Sequence, residues 1–168
     1  MARVVVFDTS VLCVWLKVIG KETCGKEGDH WDHARVEMLI EKETESRSTF
    51  VLPLATIVET GNHIAQAPDR KYDTAKELMT LLKLTLDEEE PWAAFSHQAG
   101  LWGQRNLENL IVSWPDLAAS GLSLGDATIK NVAEFYANTG AEVMIATGDQ
   151  GLKAYEPIAP PRIPRRRR

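Results

Sequence analysis

Apolar positions along the chain fall into short unbroken runs and longer stretches of helical spacing. Val4 to Phe7 is an apolar run that stops at Asp8, with Thr9 and Ser10 behind it. Such a run predicts a strand buried on both faces of a parallel sheet, with the acid at its carboxyl end. Val11, Leu12, Trp15, Leu16 and Ile19 then recur every three or four residues and predict a helix from Ser10 to about Ile19. The polar, glycine-containing stretch Gly20 to Asp29 reads as a loop. Asp29 is placed to cap a second helix reaching about Glu45, with Trp31, Ala34, Met38 and Leu39 inward and Glu41 to Glu45 solvated.

The same alternation continues. Phe50 to Leu52, ended by Pro53, is a second short strand, followed by a helix from about Leu54 to Gln66 that carries Glu59. Pro68 and Asp69 break the chain before a helix from about Arg70 to Lys83, with Tyr72, Ala75, Leu78, Met79 and Leu82 at helical spacing. Thr85 and Leu86 are read as the start of a strand. Pro91 fits the first turn of a helix reaching about Leu110, with the acids Asp87 to Glu90 at its favourable end. Ile111 to Gly121, containing Trp114 and Pro115, reads as an irregular connection. A helix from Ser123 to about Asn138 is closed by Thr139 and Gly140. Val143 to Ala146 is a further strand, ending in Thr147, Gly148 and Asp149, and Gln150 to Tyr155 is a short helix. From Pro157 the composition turns to proline and arginine, which cannot pack a core and reads as disordered. Strands alternating with helices predict an α/β fold with a mainly parallel sheet, residues 1–156 forming one domain and 157–168 a tail.

Composition narrows this picture. A chain of 168 residues with 44% hydrophobic content suits one domain with an ordinary core. No apolar run approaches the ~20 residues a membrane span needs, and the start has no cleavable signal pattern, so a cytoplasmic location is expected. Cys13 lies within an apolar pattern as a buried thiol, and two cysteines make no disulfide framework. The net charge is −5, but five of the 19 basic residues, Arg162 and Arg165, Arg166, Arg167 and Arg168, sit in the tail. That leaves 14 basic against 24 acidic residues, a body of −10. An acidic body argues against a broad basic face coating nucleic acid and is compatible with a carboxylate-lined, metal-binding cleft.

Four acids stand at element ends. Asp8 and Asp149 both terminate apolar strands, and open α/β sheets place ligands outside the carboxyl ends of strands. Asp126 precedes Ile129 by three residues and so sits at the top of the stripe Ile129, Val132, Ala133, Tyr136. Glu59 lies early in its helix, aligned with Ala55, Asn62 and His63. Each has a plain explanation: Asp8 and Asp149 as helix caps, Ser123 to Asp126 as a capping box, Glu59 as a solvated partner of His63. Together they outweigh it, because four acids at one sheet edge repel unless a cation is present. Hard divalent cations take such oxygens, and a metal-assisted phosphodiester hydrolysis uses one ion or two about 3.5–4 Å apart.

The order FDTSVL, LATIVETGNHI and SLGDATIKNVAEFYANTGAEVMIATGDQGL resembles the PIN-domain nucleases, most of all the single-domain toxins of the VapC type. The resemblance spans Val4 to Tyr155. It implies a PIN-like three-layer fold, a central mainly parallel sheet flanked by helices. It implies a Mg²⁺- or Mn²⁺-dependent endoribonuclease that leaves 5′-phosphate and 3′-hydroxyl ends, acting as a toxin or defence effector. Asp8, Glu59, Asp126 and Asp149 match the family's acidic metal-binding quartet, and Ser10 and Thr147 match its hydroxyl positions. A homodimer and an inhibitory antitoxin partner are implied as well. The Gly20 to Asp29 loop and the Asp87 to Gly121 region look longer than in compact members, and the arginine tail is not a family feature.

Other features carry less. Cys24, His30 and His33 match no common zinc spacing. His97 reads as structural or exposed, and His63 as a neighbour of Glu59 able to meet substrate. Trp15, Trp31, Trp92 and Trp102 read as core or dimer-interface anchors, and Trp114 as core or cleft border. The tail is a phosphate-binding arm or has no role. The rival functional reading is a non-cleaving PIN-like module that binds RNA or protein. A haloacid-type phosphatase would need a second Asp two residues after Asp8, where Ser10 stands.

Overall fold

The computed structural model describes residues 3–159. Strand β1 (Arg3–Phe7) is the centre of a three-stranded sheet, with β2 (Thr49–Val51) on one side and β3 (Glu142–Ala146) on the other. All pairing is parallel: Val4, Val5 and Val6 stand opposite Thr49, Phe50 and Val51, and Arg3 to Phe7 opposite Glu142 to Ala146. The pleat sorts side chains by twos. Val5, Phe7 and Phe50 belong to one buried cluster, with residues of α1 (Thr9–Trp15), α2 (His33–Glu45), α3 (Leu54–Gln66) and α4 (Lys71–Leu86). Val4, Val6, Val51, Val143 and Ile145 belong to the other. It includes residues of α6 (Leu124–Asn138) and α7 (Gln150–Lys153), which follow α5 (Gln104–Ala119). The chain is therefore α/β, a parallel sheet flanked by helices in a three-layer arrangement. Among the described residues no helix is long and apolar enough to cross a membrane.

Both outer strands have their free edges covered, which removes templates for stray pairing. On the β2 side, Phe50 N donates to Pro91 O and Ala93 N to Phe50 O, each at 2.8 Å. On the β3 side, Ile145 N donates to Glu156 Oε2 (2.7 Å) and Lys153 Nζ to Ile145 O (3.1 Å).

Several expectations from the pattern are corrected. The first helix ends at Trp15, not Ile19, because Lys17 turns left-handed (φ 52°) and Val18 N bonds back to Cys13 O, burying Val18. Asp32, not Asp29, caps α2. On α2, Ala34 and Met38 are exposed, Val36 is the buried residue, and Glu43 is buried rather than solvated. Ser48 Oγ donates to Glu43 Oε2 (2.6 Å), and Arg3 stands 3.4 Å from Oε1; partners from β1 and the α2–β2 turn make that burial tolerable. Thr85 and Leu86 extend α4 and form no strand. Residues 91–110 are not one helix: a 3-10 helix, Phe95–Trp102, stops at Gly103, and α5 runs on through the stretch expected to be irregular, with Pro115 inside it. α5 buries none of its residues. Of the tryptophans read as core or dimer-interface anchors, Trp31 and Trp92 are buried in the core, whereas Trp102 is 37% exposed and is no core residue.

Four aromatic rings lock the sheet's first layer. Phe7 meets Phe50 edge-on at 5.4 Å, and Trp92 lies 5.5 Å from Phe50 and 5.9 Å from Phe7. Trp15 stacks on both Phe7 and Trp92. Phe50→Ala therefore lowers the unfolding free energy by about 3–5 kcal/mol in urea titration followed by tryptophan fluorescence. A loss under about 1 kcal/mol would show that the rings do not support the sheet.

Candidate functional site

The parallel ladder carries one residue past β1: Asp8 N donates to Ala146 O at 3.0 Å. Thr56 Oγ1 of α3 holds the preceding carbonyl, Phe7 O, at 2.8 Å. The Asp8 side chain is 4% exposed, and a carboxylate that deep needs donors. It has them: Ser10 Oγ (2.6 Å), Thr147 Oγ1 (2.7 Å) and Ser10 N (3.3 Å) all donate to Oδ2. Each hydroxyl also accepts. Ser10 Oγ takes Gly148 N (3.0 Å) and Thr147 Oγ1 takes Asp149 N (2.9 Å). Two side chains thus bolt the end of β1 to the turn after β3. Among the described residues every donor goes to Oδ2 and none to Oδ1.

The other acids arrive from separate elements. Asp149 follows β3, is exposed, and caps α7 by accepting from Gly151 N (2.7 Å) and Leu152 N (3.4 Å) through Oδ1. Glu59, half-buried on the second turn of α3, accepts from Thr9 Oγ1 at 2.9 Å through Oε2. It does not pair with His63. Asp126, half-buried in the first turn of α6, has its backbone N–H capped by Ser123 Oγ at 3.0 Å. α6 passes so close to Glu59 that a Cβ on Gly125 would overlap its carboxylate. The capping explanations of Asp8, Asp126 and Asp149 therefore hold locally, and yet all four acids line one cavity of about 320 Å³.

Their charges feel one another. The Asp126 carboxyl is raised above its ordinary value by burial first, then by Asp8, Asp149 and Glu59, with Ser123 offsetting part of the rise. No three His, Cys, Asp or Glu side chains among the described residues are gathered into a ready-made metal-binding set. Asp8, Glu59 and Asp149 each accept hydrogen bonds from different donors, while at Asp126 the bond to Ser123 Oγ is made by the backbone N–H. The donor chemistry still fits a hard divalent cation, with four carboxylates lining one cavity and, among the described residues, no donor to Asp8 Oδ1.

Ser10 and Thr147, read as supporting hydroxyls, both donate to the Asp8 carboxylate. His63 lines the same cavity. Trp114 does not; its Nε1 donates to Leu122 O (3.2 Å) just before Ser123. His97 is exposed, and His33 pairs with Glu37 on the surface of α2. Arg162, Arg165, Arg166, Arg167 and Arg168 lie outside the described residues.

Sequence reasoning missed Thr9 as the support of Glu59, and it missed Lys21, Thr23, Cys13 and Cys24 in the wall. The adjacency of Thr9 to Asp8 was a usable signal; a lysine in an aperiodic loop offers none. Both cysteines are free. Burial raises Cys24 and pushes Cys13 up to about 11, so both stay protonated thiols at neutral pH and are poor nucleophiles.

A raised carboxyl costs stability once it ionises. The contribution of Asp126 is fully present below its ordinary value of 3.8 and is lost as pH rises through the raised folded value. Asp126→Asn escapes that loss. In metal-free buffer at pH 7 it melts roughly 2–4 °C above wild type, and the gap closes as pH is lowered toward about 4. An equal or lower midpoint at pH 7 would show that burial and the neighbouring acids do not disfavour the ionised form of Asp126.

Neither a family model, nor a curated protein, nor a solved structure matches the chain.

Proposed function

We propose that the chain is a Mg²⁺- or Mn²⁺-dependent endoribonuclease whose site is the acidic cavity at the carboxyl edge of the sheet. The observation that supports it most is the convergence of four carboxylates from four separate places in the chain on one cavity, close enough that three of them disfavour ionisation of the fourth. Folding gathers such charge at a cost in stability, which a bound cation would offset. Asp8, Glu59, Asp126 and Asp149 are the residues that would hold it. The ion's chemistry would be to favour ionisation of an attacking water and to offset charge on the phosphate.

The remaining parts of the reading belong to side chains. Ser10 and Thr147 fix the Asp8 carboxylate by occupying Oδ2. Thr9 fixes Glu59 in the same manner. Such supports hold a ligand set in one geometry, and their loss commonly costs ten- to a hundredfold in activity. A toxin or defence role, a homodimer and an antitoxin partner follow from the resemblance and are proposed on that ground alone. The alternative is a PIN-like module that binds RNA or protein without cutting. It draws on the separate donors that already hold Asp8, Glu59 and Asp149 and on the absence, among the described residues, of a gathered three-ligand set.

Cleavage of end-labelled single-stranded and structured RNAs separates the two. With Mg²⁺ or Mn²⁺ wild type cuts, chelator stops it, and Asp8→Asn is slower by roughly a hundredfold or more. Cutting without metal, or full activity in Asp8→Asn, would sink the nuclease reading, and binding without cutting would favour the module. Gly125→Ala gives a second check. The new methyl displaces Glu59 while helix propensity improves by up to about 1 kcal/mol, so cleavage falls roughly tenfold or more with no loss of melting temperature. Unchanged cleavage would remove Glu59 from the site.

A further inference from the structure

The acidic cavity has one lysine or arginine in its described wall, Lys21. It comes from the loop between α1 and α2, a segment tied down along its length. Lys21 N donates to Val18 O (2.8 Å), directly after the buried Val18 that closes α1. Cys24 and Trp31 pair as an antiparallel bridge, with N–H to O distances of 3.0 and 2.8 Å. Trp31 is buried beneath the Arg35 guanidinium, 3.8 Å above the ring. Asp29 is held by Arg35 and by Gln150 of α7, each at 2.7 Å. Cys24 lies flat against Gly148, where a Cβ would come within 2.6 Å of its sulfur. The loop is thus fastened to the turn that carries Thr147 and Asp149, and Lys21 stands at a fixed place beside them.

The Lys21 side chain is exposed, and among the described residues its ammonium makes no ion pair within 4 Å, although four carboxylates share its cavity. Lys21 and Cys13 line the same cavity, and the Lys21 charge offsets a small part of the rise that burial imposes on the Cys13 thiol. A phosphodiester entering here meets like charge on most sides. A lysine is a point charge on a flexible stem, suited to a single phosphate oxygen.

We propose that Lys21 binds a non-bridging phosphate oxygen of the RNA strand at the cavity mouth and offsets the repulsion between that strand and the carboxylates. This role rests on the endoribonuclease reading. It makes Lys21 a substrate-binding residue whose contribution is the same before and during reaction, so its loss appears in KM.

The test measures kcat and KM at several KCl concentrations, using whichever RNA of the panel wild type cuts fastest, for wild type, Lys21→Ala, Lys21→Arg and Lys26→Ala. Lys26 lies on the same loop, exposed and outside the cavity wall. Lys21→Ala raises KM roughly tenfold with kcat within about twofold, and the slope of log kcat/KM against log salt becomes shallower by about one. Lys21→Arg restores most of the KM and the slope, and Lys26→Ala matches wild type. Lys21→Ala behaving as wild type, a loss confined to kcat, or an equal effect from Lys26→Ala overturns the role of Lys21 and leaves the nuclease reading standing. Wild type cutting no RNA of the panel overturns both.

Discussion

A charged group buried at the end of a covered strand must be hydrogen-bonded or the fold does not close around it. β1 is apolar on both faces, and its next residue, Asp8, is still almost fully enclosed. The solution is two hydroxyls, one from the first turn of α1 and one from the turn after β3, that meet on the same carboxylate oxygen. Both hydroxyls then accept backbone N–H groups from the β3 side. Sheet register, the start of α1 and the position of Asp149 are all referred to this one carboxylate. A hydrogen-bonded polar network of this kind rigidifies the groups it joins, here Asp8 Oδ2, the two hydroxyls and the turn after β3.

The acidic cavity is a balance between that network and Coulomb repulsion. Asp8, Glu59 and Asp149 each keep neutral donors of their own, which eases their approach to the half-buried Asp126. The same bonds leave oxygens facing the cavity and keep the backbones in place. Stability and ligand readiness are drawn from one set of atoms, and α3, α6 and the two strand ends act as a frame.

Much of this was legible in the residues. β1 and β3 announce themselves because a strand covered on both faces must be apolar throughout, and Asp8 and Asp149 are conspicuous because they interrupt such runs. α3 matched its expected limits because Pro53 and Pro68 bracket its apolar stripe. Residues 91–121 did not read correctly for a physical reason: α5 fully buries none of its residues, its half-buried stripe Leu110, Trp114, Leu117 and Ala118 begins only where a helix end was expected, and Pro115 suggested a break that the helix absorbs. Glu43 was misread because its partner Arg3 is distant in sequence, and helical spacing sees only one element at a time. Loop residues such as Lys21 become visible only when the turn they lie on is seen bolted to another part of the chain.

The bond between Thr147 and Asp8 joins residues 139 positions apart. β1 is made first and its partner β3 last among the strands, so the carboxylate frame cannot exist until nearly all of the described chain has left the ribosome. Long-range parallel pairing of this kind is slow to form, because loop closure must precede any gain from contact. Until then the acids stand apart as four ordinary solvated side chains. The topology thereby makes the acidic cavity a product of long-range closure, complete only once β3 has paired with β1.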